Sequence, residues 1–426
     1  MSADVASSDS QHDVVIAGAG PAGLQCARDA ASRGYDVVVL ETEEEDGFPG
    51  PSNKSTGGSF PRMLARFNVP DDVVMHFTDN VVVESPGEQY VRRQAGAVLE
   101  FADFKRWLAA EARRAGAELR FDARVSAPLV EEGSCAGVTY NGDQTARAKV
   151  TIDATGPAAP LAKKLGVTTL DRAHQAVGIE HEFEGIQLDH PDYEDITDAM
   201  MLRLDHEIAP GGYAWVFHTG EDTAKVGICF LQNESYKQYA QAERTVDGFL
   251  DHWLDIDPRF ENAERLEGKT HRGSAHIQPP GAMTTDNFIA IGDTVPTVDP
   301  LWGEGIDVGM RSGRAAAVTI DEALSHREQD TSASNVEMYN DEWHAHVAPN
   351  ARTRLLMTEL LYFASNDRYD QFIRDLSSFD EEALESANNG RVRNILSFIH
   401  GSDLGLLGRW AKHRLSDQSW ETFASF

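Results

Sequence analysis

The sequence predicts an α/β fold. A nucleotide-binding domain is built round a parallel sheet from two separated stretches of chain, a second sheet-based domain lies between them, and a helical region follows. Three observations carry this. The segment "DVVIAGAGPAGLQCARDAASRGYDVVVLE" reads as strand, glycine turn, helix and strand. The buried-strand pattern returns in "DNFIAIGD", after a long stretch of different character. From about residue 331 the pattern is helical to the end.

A chain of 426 residues needs roughly two to three domains. Residues 1–11 are polar and acidic, and are expected to be disordered. The nucleotide-binding domain is predicted over 12–165 and 276–330, with a short excursion near 75–95 into the second domain, "DNVVVESPGEQYVRR". "FADFKRWLAAEARRAG" is a helix and "AELRF" a strand, and "KVTIDATG" is again a buried strand ending in glycine. The second domain, 166–275, alternates strands with acidic loops: "AVGIEHEFEGI", "GYAWVFHTG" and "AKVGICFLQ", then a helix at about 241–254. After "DNFIAIGD", the segment "TVPTVDPLWGEG" leads into the helix "IDVGMRSGRAAAVTIDEAL". The helical C-terminal region is 331–426.

The formal charge is −31, with nine lysines against 29 arginines. An acidic, lysine-poor surface fits a protein adapted to molar salt, where its self-repulsion is screened. No basic patch exists to neutralise phosphates, so nucleic acid is excluded as a partner. The three cysteines, Cys26, Cys135 and Cys229, form no CxxC pair and no disulfide framework. No apolar run approaches the roughly 18 residues of a membrane span. The expectation is a cytoplasmic protein, with peripheral contact to a membrane as a further option. There is no HExxH and no cysteine–histidine zinc pattern, so no metal is expected.

Gly18, Gly20 and Gly23, with Pro21 and Ala22 between them, form GxGxxG after a strand and before a helix. The first glycine permits the turn, the second admits a pyrophosphate to the backbone, and the third lets helix and strand pack. Glu41 ends the next strand, where a carboxylate can accept hydrogen bonds from ribose hydroxyls. Tyr213, Trp215 and Phe217 alternate along one strand, so their rings share a face. That face is either core or the wall of an apolar cavity.

The choice between FAD and NAD turns on "FIAIGDTVPTVDPLWGEGI". It resembles the second FAD signature of the p-hydroxybenzoate-hydroxylase-like flavoproteins. The resemblance implies that Gly292 and Asp293 meet the ribityl chain, and that Pro300, Gly303, Gly305 and Ile306 bring a helix N-terminus to the flavin pyrimidine. Gly156, in "TIDATG", resembles the glycine that closes over the adenosine half. Within that superfamily the chain resembles the geranylgeranyl reductases, FAD enzymes that hydrogenate isoprenoid double bonds. The resemblance rests on the N-terminal fingerprint, the "GD…P.WGEGI…SGRAAA" block and the tail around "YFASNDRYDQFIRDLSSFDEEAL". The family's aromatic-x-Trp-x-Phe-Pro motif reads here Tyr213-Ala214-Trp215-Val216-Phe217-His218.

Two departures stand out. Where many members carry Cys-Gly-x-Gly, this chain has Ser55, Thr56, Gly57 and Gly58 and no cysteine. The family's FAD-holding arginine at the start of the third helix is Phe101, and Arg106, one turn further on, is the candidate in its place. The resemblance implies an isoprenoid lipid or a quinone side chain as substrate, and reduced ferredoxin or NAD(P)H as electron donor. Ser55, Thr56, Tyr213 and Trp215 are the candidate catalytic residues. Ser55, Thr56, Tyr213, His218 and a water all remain open as proton source. The alternative is a flavin monooxygenase or halogenase on the same fold. Against it stand Ala154-Thr155-Gly156 in place of Asp-Gly and the absence of Trp-x-Trp-x-Ile-Pro.

Overall fold

The computed structural model describes residues 11–236, 239–240, 242–378 and 400–416. Most of the N-terminal segment expected to be disordered, and residues 379–384 of the family-like tail, lie outside these. Gln11 already belongs to the first strand.

Two eight-stranded sheets organise the chain. The first has a parallel core in the order β16–β9–β1–β2–β6, namely Phe288–Ala290, Gln144–Asp153, Gln11–Ala17, Val37–Leu40 and Glu118–Arg120. Its central strands are valine-rich and buried on both faces, as a sheet with both faces covered requires. Helices α1 (Pro21–Ala31), α3 (Phe101–Ala115) and α6 (Ile306–Ser325) cover it. Helices α1 and α6 pack closely because Gly313 faces α1: a Cβ there would stand 2.2 Å from the Ala22 carbonyl oxygen. This is the discontinuous α/β arrangement that the sequence predicts, since β16 and α6 return to a sheet begun at residue 11.

The second sheet runs β14–β10–β13–β12–β11–β4–β5–β3, the last being Gly58–Ser59. Strands β4 (Val74–Glu84) and β5 (Gln89–Leu99) belong to it although they lie in sequence between α2 (Pro61–Phe67) and α3. β10 (Gln175–Glu184), β12 (Gly212–Gly220) and β13 (Thr223–Leu231) correspond to the three strand-like runs of the sequence, while β11 (Ala199–Arg203) and β14 (Glu264–His276) were not legible there. β14 is an edge strand of almost wholly polar residues, and such a strand has no apolar face to announce it. One face of the sheet packs on α5 (Val246–Ile256) through Ile179, Ala214, Val216, Ile228, Phe249 and Trp253. The last helices include α9 (Ala351–Tyr362), α10 (Asn366–Ser378) and, after residue 400, α11 (Leu404–Ser416). Tyr362, Tyr369 and Leu406 from them pack on Leu204, Leu231 and Tyr236.

The end of β4 is held by a buried ionic fork. Arg259 donates to Glu84 Oε1 and Oε2 at 2.8 and 2.9 Å and to Asp257 Oδ1 and Oδ2 at 3.0 and 2.8 Å. Glu84 and Arg259 are 0% and 1% exposed. Removing Glu84 takes away two of the four carboxylate bonds of the buried Arg259, and a partner of Arg203 as well. Glu84→Ala is therefore expected to cost about 3–5 kcal/mol in urea unfolding. Asp251→Ala, at the exposed pair with Arg265, should cost only about 0–1 kcal/mol.

Candidate active site

The cofactor end is built from the first βα turn. Gly18 has φ +102°, and a Cβ on it would fall 2.5 Å from the Ala154 carbonyl oxygen. A Cβ on Gly23 would fall 2.2 Å from the Gly18 carbonyl oxygen. A Cβ on Gly20 would meet nothing within 4 Å. Two glycines thus serve packing, and the third leaves open space at the N-terminus of α1, where Pro21 occupies the first turn and no acidic side chain lies. Glu41 is buried and accepts from the Ala19 and Glu43 amides at 2.8 and 3.1 Å. Gly156 likewise faces open space, and its amide donates to Thr294 at 3.1 Å.

Arg106 is not brought into this cradle. It bonds Asp103 at 2.7 Å and the Phe48 carbonyl at 3.1 Å, with about half its side chain, 54%, exposed. The inward face of α3 carries residues 101, 104, 105 and 108, the helical spacing of one buried stripe. The cation on that stripe is Lys105. It is 2% exposed, donates to Ser52 Oγ at 2.5 Å and sits 4.5 Å over the Phe48 ring. Burial pulls its ammonium down to about 8, against the upward pull of Glu41 and then Glu43.

At the other end, Gly292–Asp293 follows β16. The Asp293 carboxyl is pushed up to about 6 by burial, offset in part by one hydrogen bond from Thr297 at 3.3 Å. An under-bonded, half-buried carboxylate here, and open space over Gly20 and Gly156, fit the sugar-alcohol and pyrophosphate parts of FAD.

Ser55, Thr56, Gly57 and Gly58 from one loop, Tyr213, Trp215 and Phe217 from β12, and Trp302 to Ile306 before α6 line one small cavity of about 120 Å³. Gly57 and Gly58 admit close neighbours: a Cβ on Gly58 would lie 2.4 Å from the Phe217 ring. A Cβ on Gly303 would lie 1.8 Å from the Tyr213 hydroxyl oxygen. A larger cavity of about 600 Å³ adjoins, lined by Leu202, Leu204, Tyr213, Pro300, Leu360, Leu361 and others. The three aromatic rings therefore face a cavity, while Ala214 and Val216 face the core. Trp215 is the most enclosed of the three, 8% exposed, and its indole N–H donates to buried Glu180 at 2.8 Å.

His218 points away from the cavity. It is buried, accepts from the Asp198 amide through Nδ1 at 3.0 Å and bonds the Glu221 carbonyl through Nε2 at 2.9 Å. It forms with His76 and Asp198 a cluster of ligand-type side chains, but both its ring nitrogens are already engaged.

Residues 13–275 match the family model described as FAD dependent oxidoreductase. The chain is 60% identical to a digeranylgeranylglycerophospholipid reductase of Haloferax volcanii, over 95% of this chain and 99% of that one. It is 32% identical to digeranylgeranylglycerophospholipid reductase 1 of Methanopyrus kandleri, over 78% of this chain and 86% of that one. A solved geranylgeranyl bacteriochlorophyll reductase-like protein of Thermoplasma acidophilum superposes with a TM-score of 0.78 at 21% identity, covering 94% of this chain and 99% of that one. A flavin-dependent brominase superposes with a TM-score of 0.68 at 18% identity, covering 95% and 99%. At those identities the two structures show the fold alone.

Two outcomes follow from the cradle. Gly20→Val should fold with stability within about 1 kcal/mol of the parent yet fail to hold FAD, whereas Gly23→Val, driven into the Gly18 carbonyl, should not fold; flavin absorbance and thermal melting separate them. Lys105 loses its proton above about 8 in the free protein, so affinity for the anionic cofactor should fall as pH rises through that value. Titration of apoprotein with FAD should show this in the parent and a lower, pH-flat affinity in Lys105→Met.

Proposed function

The chain belongs to the digeranylgeranylglycerophospholipid reductases, within the FAD-dependent oxidoreductases, and on that footing we propose that it hydrogenates the isolated C=C bonds of geranylgeranyl chains on a glycerophospholipid. The observation that carries this reading is the junction of the two cavities. An apolar space of about 600 Å³, within the range of roughly 300–1,000 Å³ usual for small-molecule sites, shares Leu202, Tyr213 and Trp302 with the small one under Tyr213, Trp215 and Phe217. An isoprenoid chain needs such a dry, mostly apolar channel, because it has no polar group with which to be positioned.

FAD, when bound and reduced, supplies the hydride equivalent that no side chain can. The protein's own part is to hold and to exclude. Gly18, Gly20, Gly23, Glu41, Gly156, Gly292, Asp293 and Lys105 would hold the cofactor. Pro300 lines the larger cavity, and Gly303, Gly305 and Ile306 line the smaller one where the helix α6 begins. Tyr213, Trp215 and Phe217 would fix one double bond of the flexible chain, and an aligned reactant lowers the barrier by much of its lost freedom. Glu180 keeps the Trp215 ring in one orientation. Ser55 and Thr56 close the side where family members carry a cysteine. Excluding water protects the reduced site from side reactions. No helix among the described residues is long and apolar enough to cross a membrane, so these residues would meet a lipid substrate from the bilayer surface.

The test is anaerobic. Protein loaded with FAD and reduced chemically is mixed with a digeranylgeranyl glycerophospholipid. The oxidised flavin spectrum should return as the lipid gains two hydrogens for each bond reduced. A flavin that stays reduced until oxygen is admitted, and then halogenates or hydroxylates an added aromatic substrate while the lipid mass is unchanged, would overturn the reading in favour of the monooxygenase or halogenase alternative.

A further inference from the structure

Saturating C=C requires a hydride equivalent on one carbon and a proton on the other. An isolated alkene has no carbonyl to polarise, so the acid must touch it and must be stronger than an alcohol. Six residues line both cavities: Phe60, Val81, Leu202, Tyr213, Trp302 and Glu304. A chain passing from the large cavity to the small one passes these six. Of them, Tyr213 and Glu304 carry a titratable proton. Burial, followed by the neighbouring Cys229, drives the Tyr213 phenol well above its usual value, which makes it a poor acid. Ser55 and Thr56 carry alcohols, and Ser55 Oγ already accepts from the Gly57 amide at 3.2 Å.

Resting on the function proposed above, we infer that Glu304 is the proton donor of the reaction, a catalytic residue inside the "WGEGI" block to which the resemblance gives no role. Its backbone is fixed. The Asp299 amide donates to the Glu304 carbonyl at 3.1 Å, and the Gly303 amide to the Asp299 carbonyl at 2.8 Å. The Asp299 carboxylate accepts from the Leu301 and Trp302 amides at 3.0 and 3.2 Å and from Arg354 at 2.8 Å. The cations around it are already matched to other carboxylates. Arg354 pairs with Asp299, and both Arg66 and Arg311 pair with Asp307. Among the described residues no hydrogen bond is directed at the Glu304 carboxyl. It is the third acid in a cluster whose arginines are spoken for. Burial, then Asp307 and Asp299, push it up to about 7, with Arg311 and Arg354 pulling the other way. Near neutral pH it therefore exists both as acid and as base, the condition in which a carboxyl gives and recovers a proton readily.

The step balances. The Glu304 O–H breaks as its proton forms a C–H bond at one alkene carbon. The other carbon takes a hydride equivalent, two electrons and one hydrogen, from two-electron-reduced FAD, which is thereby oxidised. The carboxylate regains its proton from water at the mouth of the larger cavity.

The test uses FAD-loaded enzyme and two readouts. The first needs no substrate: difference infrared spectra should show a carboxylic acid C=O band lost as pH rises through about 7, present in the parent and missing in Glu304→Gln. The second is reoxidation of pre-reduced enzyme by a digeranylgeranyl glycerophospholipid. The protonated form is the active one, so the parent's rate should fall about tenfold per pH unit above the break. Glu304→Gln should lose roughly 10²–10⁴-fold with flavin content and melting intact, and Glu304→Asp should be slower but keep the break. Glu304→Gln at the parent's rate, a break that survives in it, or a parent without the infrared band would overturn the assignment. If Glu304→Gln does not load flavin, loss of the break in Glu304→Asp overturns it instead. A parent that leaves the lipid untouched overturns the function reading itself, and the inference with it, and is recognised because no variant is needed to see it.

Discussion

Lys225 donates from deep inside the protein to two main-chain oxygens, Thr56 O at 2.9 Å and Leu99 O at 3.2 Å, and is 2% exposed. Its strand, β13, belongs to the second sheet; Thr56 belongs to the loop that walls the small cavity. Burying an ammonium is costly unless its N–H groups find such acceptors. The loop is thereby set at one distance from the sheet. His271 on β14 adds a bond to the Asn53 carbonyl at 2.7 Å, and the Leu99 amide returns one to the Gly57 carbonyl at 2.9 Å. Ser55 to Gly58 are thus pinned from both sides, and the cavity between loop and sheet has a defined width.

That width is matched by side chains on the opposing strands. Phe217 stands across from Lys225, Trp215 across from Gly227, and Tyr213 across from Cys229. Gly227 is needed there because a Cβ would enter the Trp215 ring at 2.3 Å. The period of two along β12 divides the strand cleanly. Odd positions face the cavity, while Ala214 and Val216 join the core and His218 is bonded to the turn after the strand. Stability and substrate contact are therefore carried by different residues of one strand, except at Trp215. Its bond to Glu180 makes that ring structural as well as cavity-lining, so its removal would leave a buried carboxylate without its donor.

What was legible in the sequence is what backbone geometry demands. Gly18 and Gly23 could be read because the contacts at those positions exclude a side chain, and the βαβ unit because its strands are buried on both faces. The facing of Tyr213, Trp215 and Phe217 followed from spacing, but whether that face met core or cavity did not. Residues whose role depends on which neighbour lies opposite were not legible. Arg106 and Lys105 are adjacent in sequence, and a single step round the helix separates a half-exposed cation from a buried one. Lys225 sits among apolar residues of β13 with nothing local to mark it. Glu304, between two glycines, reads as part of a turn until the two cavities are seen to share it. β14 escaped because an edge strand exposed along most of its length needs no apolar alternation.

The charge of −31 takes on a different meaning once the cations are located. Few as they are, several are withdrawn from the surface. Lys105 and Lys225 are buried, Arg259 is locked between Glu84 and Asp257, and Arg414 clasps Glu359 to dock α11 on α9. Arginine suits such forks because its planar guanidinium meets a carboxylate with two parallel bonds. The surface is left with carboxylates in excess, whose mutual repulsion salt can screen. The interior pairs, shielded from ions, are not screened in the same way. Salt that screens the surface acts on the outside, and leaves largely unscreened the internal bonds that set the width of the cavity.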